Sequence, residues 1–136
     1  MRSQDGVSAQ CELNPHLCGM DGIAHGGIVA TLLDEASAWA LAVHAGSLGV
    51  TTEMNVRFSK PVHVSTPLIV EAFVIDHQAK EARTFAQVRA NQHAVLAAAT
   101  CSWTLMSVAV AARLTGVDRD RIKQFLAAVH RPAGSA

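Results

Sequence analysis

The sequence predicts an α+β domain in which a curved antiparallel sheet wraps around one central buried helix, with an amphipathic helix added at the C-terminus. Three observations carry this. Residues 22–44, GIAHGGIVATLLDEASAWALAVH, are apolar on nearly every side of a helical wheel. Residues 50–58, VTTEMNVRF, alternate strictly, as a half-buried strand does. Three more apolar runs follow, joined by the short polar links DHQAKE and NQH that suit antiparallel neighbours.

Taken in order, residues 1–6 read as a disordered start, and Val7 to Leu13 predicts a short strand closed by the turn signal Asn14-Pro15. Cys11, His16, Cys18 and His25 are metal-ligand types, but their spacings match no zinc pattern with paired ligands, so no metal is expected. Gly22 to Gly27 is loop, and the helix opens near Gly26 or Gly27. Glycine there lets a ligand approach the backbone, where free N–H groups and the positive dipole end are exposed. Asp34 and Glu35 sit mid-helix. An ionised carboxylate inside a core is costly unless paired, so stability alone does not place them there.

The helix is expected to end around His44 to Gly49, at the turn residues AGSLG. In the next strand Val50, Thr52, Met54, Val56 and Phe58 face one way, and Thr51, Glu53, Asn55 and Arg57 the other. Ser59-Lys60-Pro61 breaks it. Leu68 to Ile75, Arg83 to Ala90 and Ala94 to Met106 complete a four-strand meander, with Ala97, Ala98 and Ala99 as a flat patch for the helix. Residues 7–106 thus form the domain, and 107–136 an extension that leads away from the sheet. Within it Asp118 to Val129 is an amphipathic helix, with Ile122, Phe125, Leu126 and Val129 on one side. Arg119, Arg121 and Lys123 lie toward its solvated side.

At 136 residues the chain holds one domain. Eleven basic and eleven acidic residues cancel, which gives no electrostatic reason to expect nucleic acid or an anionic membrane as partner. The longest apolar stretches are interrupted by polar or charged residues, which argues against a spanning helix. MRSQDGVSAQ lacks the apolar core of a secretory signal, and three scattered cysteines make no disulfide framework. A cytoplasmic location is the expectation. Half the residues are hydrophobic, more than so short a chain needs, so cover by another subunit is expected.

His25-Gly26-Gly27, a carboxylate nine residues past the histidine, and the strand Thr52-Glu53-Met54-Asn55-Val56-Arg57-Phe58 followed by Pro61 form one pattern. It resembles the hotdog-fold acyl-CoA thioesterases, in particular the phenylacetate-pathway (PaaI-like) group, over about residues 7–106. The resemblance implies a hotdog domain that dimerises or forms a tetramer, with the active site at the subunit interface. It implies that the Gly26 backbone N–H, with Gly27 beside it, polarises the thioester carbonyl. Asp34 then acts as general base or nucleophile, and Thr51 holds the water. Coenzyme A enters as part of the substrate, and no cofactor is implied. Related enzymes often carry Asn or Gln several residues before the histidine; this chain has Cys18-Gly19-Met20-Asp21 there.

These roles suit the chemistry. Thioester hydrolysis develops charge on the carbonyl oxygen, which helix N-terminal donors stabilise. Gly26 and Asp34 are about 12 Å apart at 1.5 Å per residue, a span read here as one that a thioester bridges. Glu35 is the rival base, but adjacent helical residues point about 100° apart, so only one faces the site. His25 either satisfies backbone groups at the turn, the favoured reading, or touches substrate. Asn55, Arg57, Lys60 and Arg83 are candidate substrate contacts, the three cations toward the phosphates of coenzyme A. The alternatives are a non-catalytic acyl-CoA binding or sensing domain and a hotdog hydratase or dehydratase. The latter lacks its His-Phe-Pro motif.

Overall fold

The computed structural model describes residues 6–132, and the core is a helix laid across an antiparallel sheet. The strands are β1 (Gly6–Cys11), the short pair β2 (Cys18–Met20) and β3 (Ile23–Ala24), β4 (Leu48–Phe58), β5 (Leu68–His77), β6 (Glu81–Arg89) and β7 (Val95–Met106). The helices are α1 (Gly26–Ala40), α2 (Val108–Thr115) and α3 (Arg119–Val129). The main sheet runs β1-β5-β6-β7-β4, every pairing antiparallel. One helix against a five-strand antiparallel sheet is the hotdog arrangement that the sequence pattern implies. Of the expected disordered start, Gly6 pairs with Phe73, and residues 1–5 lie outside the described residues.

The strand order corrects the simple meander. β5, β6 and β7 do follow one another through short polar links, but β4 pairs with β7 at the far edge, and β1 flanks β5. The link between β4 and β5, residues 59–67, therefore crosses from one side of the sheet to the other. Pro61 and Pro67 bracket it, and between them it pairs only briefly, Ala24 N–H donating to Val62 O at 2.8 Å and Val64 N–H to Gly22 O at 3.1 Å.

α1 packs against all five strands and buries Val29, Leu33, Ala36, Ser37 and Ala40. The floor beneath it is small: Ala72, Ala82, Ala86, Ala97 and Ala99 are all buried, which lets the helix backbone come close. Ala98 points to the other face and is half-buried, so the expected alanine patch is every second residue, as strand geometry requires. The helix is not covered on every side, as its composition suggests. Thr31, Glu35 and Trp39 are exposed, Trp39 by 45%. By length and composition the 20-residue helix Gly26–Ala45 passes for a membrane span despite its carboxylates; in this chain it lies on the sheet.

The last turn, Leu41–Ala45, widens to i→i+5 bonding and stops at Gly46, whose φ of 62° is left-handed and favours glycine. The extension packs onto this end. Residues 107–116, expected to be a connection, form α2, capped by the Ser107 hydroxyl and stopped at Gly116 with φ 74°. Asp118 caps α3, Ile122 is buried, and the Phe125 ring meets Trp39 edge-on at 5.8 Å. Arg131 N–H donates to Val43 O at 2.6 Å, and His130 Nδ1 lies 3.0 Å from the same oxygen.

Candidate active site

The site grows from the two ends of one helical segment, the α1 N-terminus and the turn that carries Asp34. His25 is the N-cap: its backbone is extended, and its Nδ1 accepts from Gly27 N–H at 2.9 Å. That bond takes one of the free donors at the helix start. The carbonyl of His25 receives Ile28 N–H, which opens the helix. Gly26 N–H keeps no partner among the described residues and stays available to a ligand. The geometry therefore separates the two glycines. Gly26 presents a donor, and Gly27 binds its own cap.

A cavity of about 350 Å³ opens at this helix start, lined by Met20, Gly26, Val29, Phe58, Lys60 and Val62 among others. The Phe58 ring stands beside Gly26, 3.5 Å from where a Cβ would project. Gly19 occupies the stretch where related enzymes carry an amide. A Cβ there would lie 3.2 Å from His25 Cδ2, so the His25 ring already fills that space.

Asp34 is half-buried and accepts a hydrogen bond from the Thr51 hydroxyl, Oγ1 to Oδ1, at 2.6 Å. This contact exists because β4 is irregular. Thr51 pairs with Trp103 and Glu53 with Ser102, which leaves Thr52 as an extra residue in a bulge. Below the bulge the alternation is as read: Met54 and Val56 pack into the core, while Glu53, Asn55 and Arg57 point outward. Above it the faces exchange. Thr51 turns inward to Asp34, and Val50 turns out to 49% exposure. Strict alternation had put Thr51 on the face of Glu53; the bulge reverses that assignment.

Behind the pair lies a buried polar group absent from the sequence reading. Trp103 Nε1–H donates to Thr84 Oγ1 at 2.9 Å, and Thr84 is fully buried. The Cys101 thiol sits beside Thr84 and Ser37, and its pKa is raised first by burial. The Ser37 and Thr84 hydroxyls pull it down, and the Asp34 carboxylate pushes it up. Ser37 Oγ makes no hydrogen bond of good geometry in this position, although it is close enough to act on the thiol. The findable signal was Trp103 itself, since a buried indole needs an acceptor and Thr84 lies on the adjacent strand.

The remaining candidates divide by face. Lys60 lines the cavity at the helix start. Asn55, Arg57 and Arg83 are exposed on the outer face of the sheet, opposite α1, so within one chain they do not meet Asp34. Glu35 is exposed and lines a separate groove of about 410 Å³ between α1 and β1, with Leu32, Trp39 and Val70. The two adjacent carboxylates diverge as helical geometry demands.

Comparison with known proteins agrees with this architecture. The mouse protein acyl-coenzyme A thioesterase 13 is 32% identical over 66 residues, covering 48% of this chain and 44% of the relative. Its human counterpart is 33% identical over the same length and shares. The chain thus spans less than half the length of the curated relatives it matches. A Streptococcus mutans protein solved bound to acetyl-CoA superposes with a TM-score of 0.69 at 19% identity, over 76% of this chain and 82% of that one. A threonine-to-alanine mutant of a Staphylococcus aureus acyl-CoA hydrolase gives a TM-score of 0.70 at 21% identity, over 77% and 68%. These structures share the fold. The family description "Thioesterase superfamily" matches residues 21–102, which hold α1, the bulged β4 and most of β7. The chain belongs to the thioesterase superfamily.

Proposed function

We propose that this chain hydrolyses acyl-CoA thioesters, with Asp34 as general base or nucleophile and Gly26 N–H as the donor to the developing oxyanion. The observation that carries the reading is the 2.6 Å hydrogen bond from Thr51 to Asp34, on a helix whose first N–H is free. Thr51 spends its proton on the carboxylate, and its oxygen lone pairs can then accept from a water. In the base route that water attacks the carbonyl carbon while Asp34 takes its proton. The tetrahedral oxyanion leans on Gly26 N–H, the C–S bond breaks, and the coenzyme A sulfur recovers the proton held by Asp34. The thiolate is a good leaving group, so the reaction asks for no metal or other cofactor.

The helix also bears on assembly. Asp34 lies eight positions past Gly26, about 12 Å along the axis, whereas groups acting on one carbonyl sit about 3–3.5 Å from its atoms. That distance favours a site assembled from two copies, Gly26 of one beside Asp34 of the other, over a thioester bridging both ends of one helix. The reading is thus a homodimer or homotetramer with its site between subunits. The mouse and human relatives named as acyl-coenzyme A thioesterases support the substrate class. Two solved mutants of the Staphylococcus aureus hydrolase change an aspartate and a threonine seventeen residues apart, the separation of Asp34 and Thr51. The His-Gly-Gly and Thr-x-Glu-x-Asn-x-Arg-Phe pattern points further to the PaaI-like group.

The test is thiol release from a panel of aryl- and fatty-acyl-CoA substrates, with Asp34→Asn beside the wild type. Turnover by wild type and loss of about 10²-fold or more in kcat by the variant, with binding kept, supports the assignment. Full activity in Asp34→Asn sinks it, and tight binding without turnover by either protein makes this a binding domain.

A further inference from the structure

We propose that Trp103 is a positioning residue for the Asp34–Thr51 pair, locked in place by the Thr84 hydroxyl; this rests on the thioesterase reading above. A strand offset by one residue exchanges its faces, so β4 has two discrete ways to run past β7. In the bulged register Thr51 faces Asp34. In a regular ladder continued from Met54 and Val56, Thr51 falls on the outer face with Asn55 and Arg57, and its hydroxyl is lost to the site.

Trp103 stands where this choice is made. It pairs with Thr51 at the last position before the register shift. Its ring also lies against Gly49, the other inward residue of this half of β4: a Cβ on Gly49 would sit 3.4 Å from Trp103 Cε3. The ring therefore stands against β4 at Gly49, while the Trp103 backbone holds Thr51 in register, one residue to either side of Val50. What fixes the ring is its one polar atom. The indole N–H is buried, Thr84 Oγ1 accepts it at 2.9 Å, and Trp103 is only 4% exposed. A ring turned away from Thr84 would leave both a donor and an acceptor unpaired in the core. Thr84 comes from β6, pairs with Cys101, and so ties the aim of Thr51 to the central strands rather than to the sheet edge.

The experiment compares wild type, Thr84→Val and Thr84→Ser, with Trp103→Phe as a second way to delete the bond should Thr84→Val not fold. Two readouts are taken: kcat and KM for an acyl-CoA hydrolysed by the wild type, and the backbone amide resonances of Thr51, Thr52 and Glu53. Positioning predicts that Thr84→Val lowers kcat about tenfold or more with KM within about twofold, since misplacement of a reacting group acts on the chemical step. The three amides shift, and Thr84→Ser returns both readouts toward wild type. A variant that melts earlier but keeps kcat and the three resonances overturns the inference, because Thr84 is then merely structural. A rise in KM at constant kcat overturns it too. Should the wild type release no thiol, the thioesterase reading fails by itself. The amide shifts then decide alone whether Thr84 sets the bulge.

Discussion

At Gly27 a single hydrogen atom leaves room for the helix cap. A Cβ there would lie 3.1 Å from His25 Nδ1, the atom that accepts Gly27 N–H. Gly27→Ala presses the ring back by a few tenths of an ångström and weakens that bond, a cost that offsets the alanine's gain of up to about 1 kcal/mol in helix propensity. His25→Ala should cost about 1 kcal/mol, and adding Gly27→Ala to it should recover part of that, because no ring is then left to displace. Urea unfolding of the four proteins checks this, and additive effects would refute the shared origin. Cys101 makes a second prediction at this scale. Burial holds its thiol in the protonated form, with a raised pKa, so it should resist a thiol reagent until the chain is unfolded, whereas the exposed Cys18 reacts at once. Unfolding returns Cys101 to the ordinary value of 9.0. Its contribution to stability is therefore intact below that pH and is lost as the pH climbs above it. Melting curves of wild type and Cys101→Ala, compared across that range, should converge as the pH rises.

Among the elements, α3 has the clearest energetic role. Ile122 is its one buried residue, and Phe125 reaches Trp39 on α1. Ile122→Ala should destabilise by about 2–4 kcal/mol, while truncating the half-exposed Phe125 should cost less. Urea midpoints read the ranking, and a larger loss at Phe125 would show that the ring contact, not the buried isoleucine, holds the extension. The amphipathic period of this helix was legible in the sequence because it repeats locally, as were α1, the run of β5 to β7 and the stop near Gly46. What escaped has a physical reason in each case. α2 is eight residues, short enough to pass for a connection although Ser107 and Gly116 frame it. The pairing of β4 with β7 is non-local and leaves no mark in composition. The bulge hides because Thr51 and Thr52 are equally good strand residues, and an extra one changes the face without changing the pattern. Asp34, Gly26 and Thr51 were visible as candidates from the family pattern; for the Trp103–Thr84 bond the sequence offers only the indole's need of an acceptor, and the acceptor lies nineteen residues away.

For the whole molecule, the half-open face of α1 and the exposed Val50 and Phe58 at the β4 edge, 49% and 54%, leave apolar surface that a second copy would cover. The proposed two-copy site is testable by complementation. Asp34→Asn removes the carboxylate, and Gly26→Pro removes the backbone donor. Proline suits that position: it is the first residue of the helix, and His25 before it already has an extended backbone, φ −60° and ψ 136°. Each variant alone should lose about 10²-fold or more in kcat. Unfolded together in equal amounts and refolded, half of the dimers are mixed. With sites shared between subunits, a mixed dimer has one site with both defects and one with an intact Gly26 and Asp34. The mixture should then regain about a quarter of wild-type activity. With both groups acting within one chain, every site carries one defect and nothing returns. Recovery that scales with the fraction of mixed dimers would therefore place the oxyanion donor and the base on different chains, and its absence would return both to one helix.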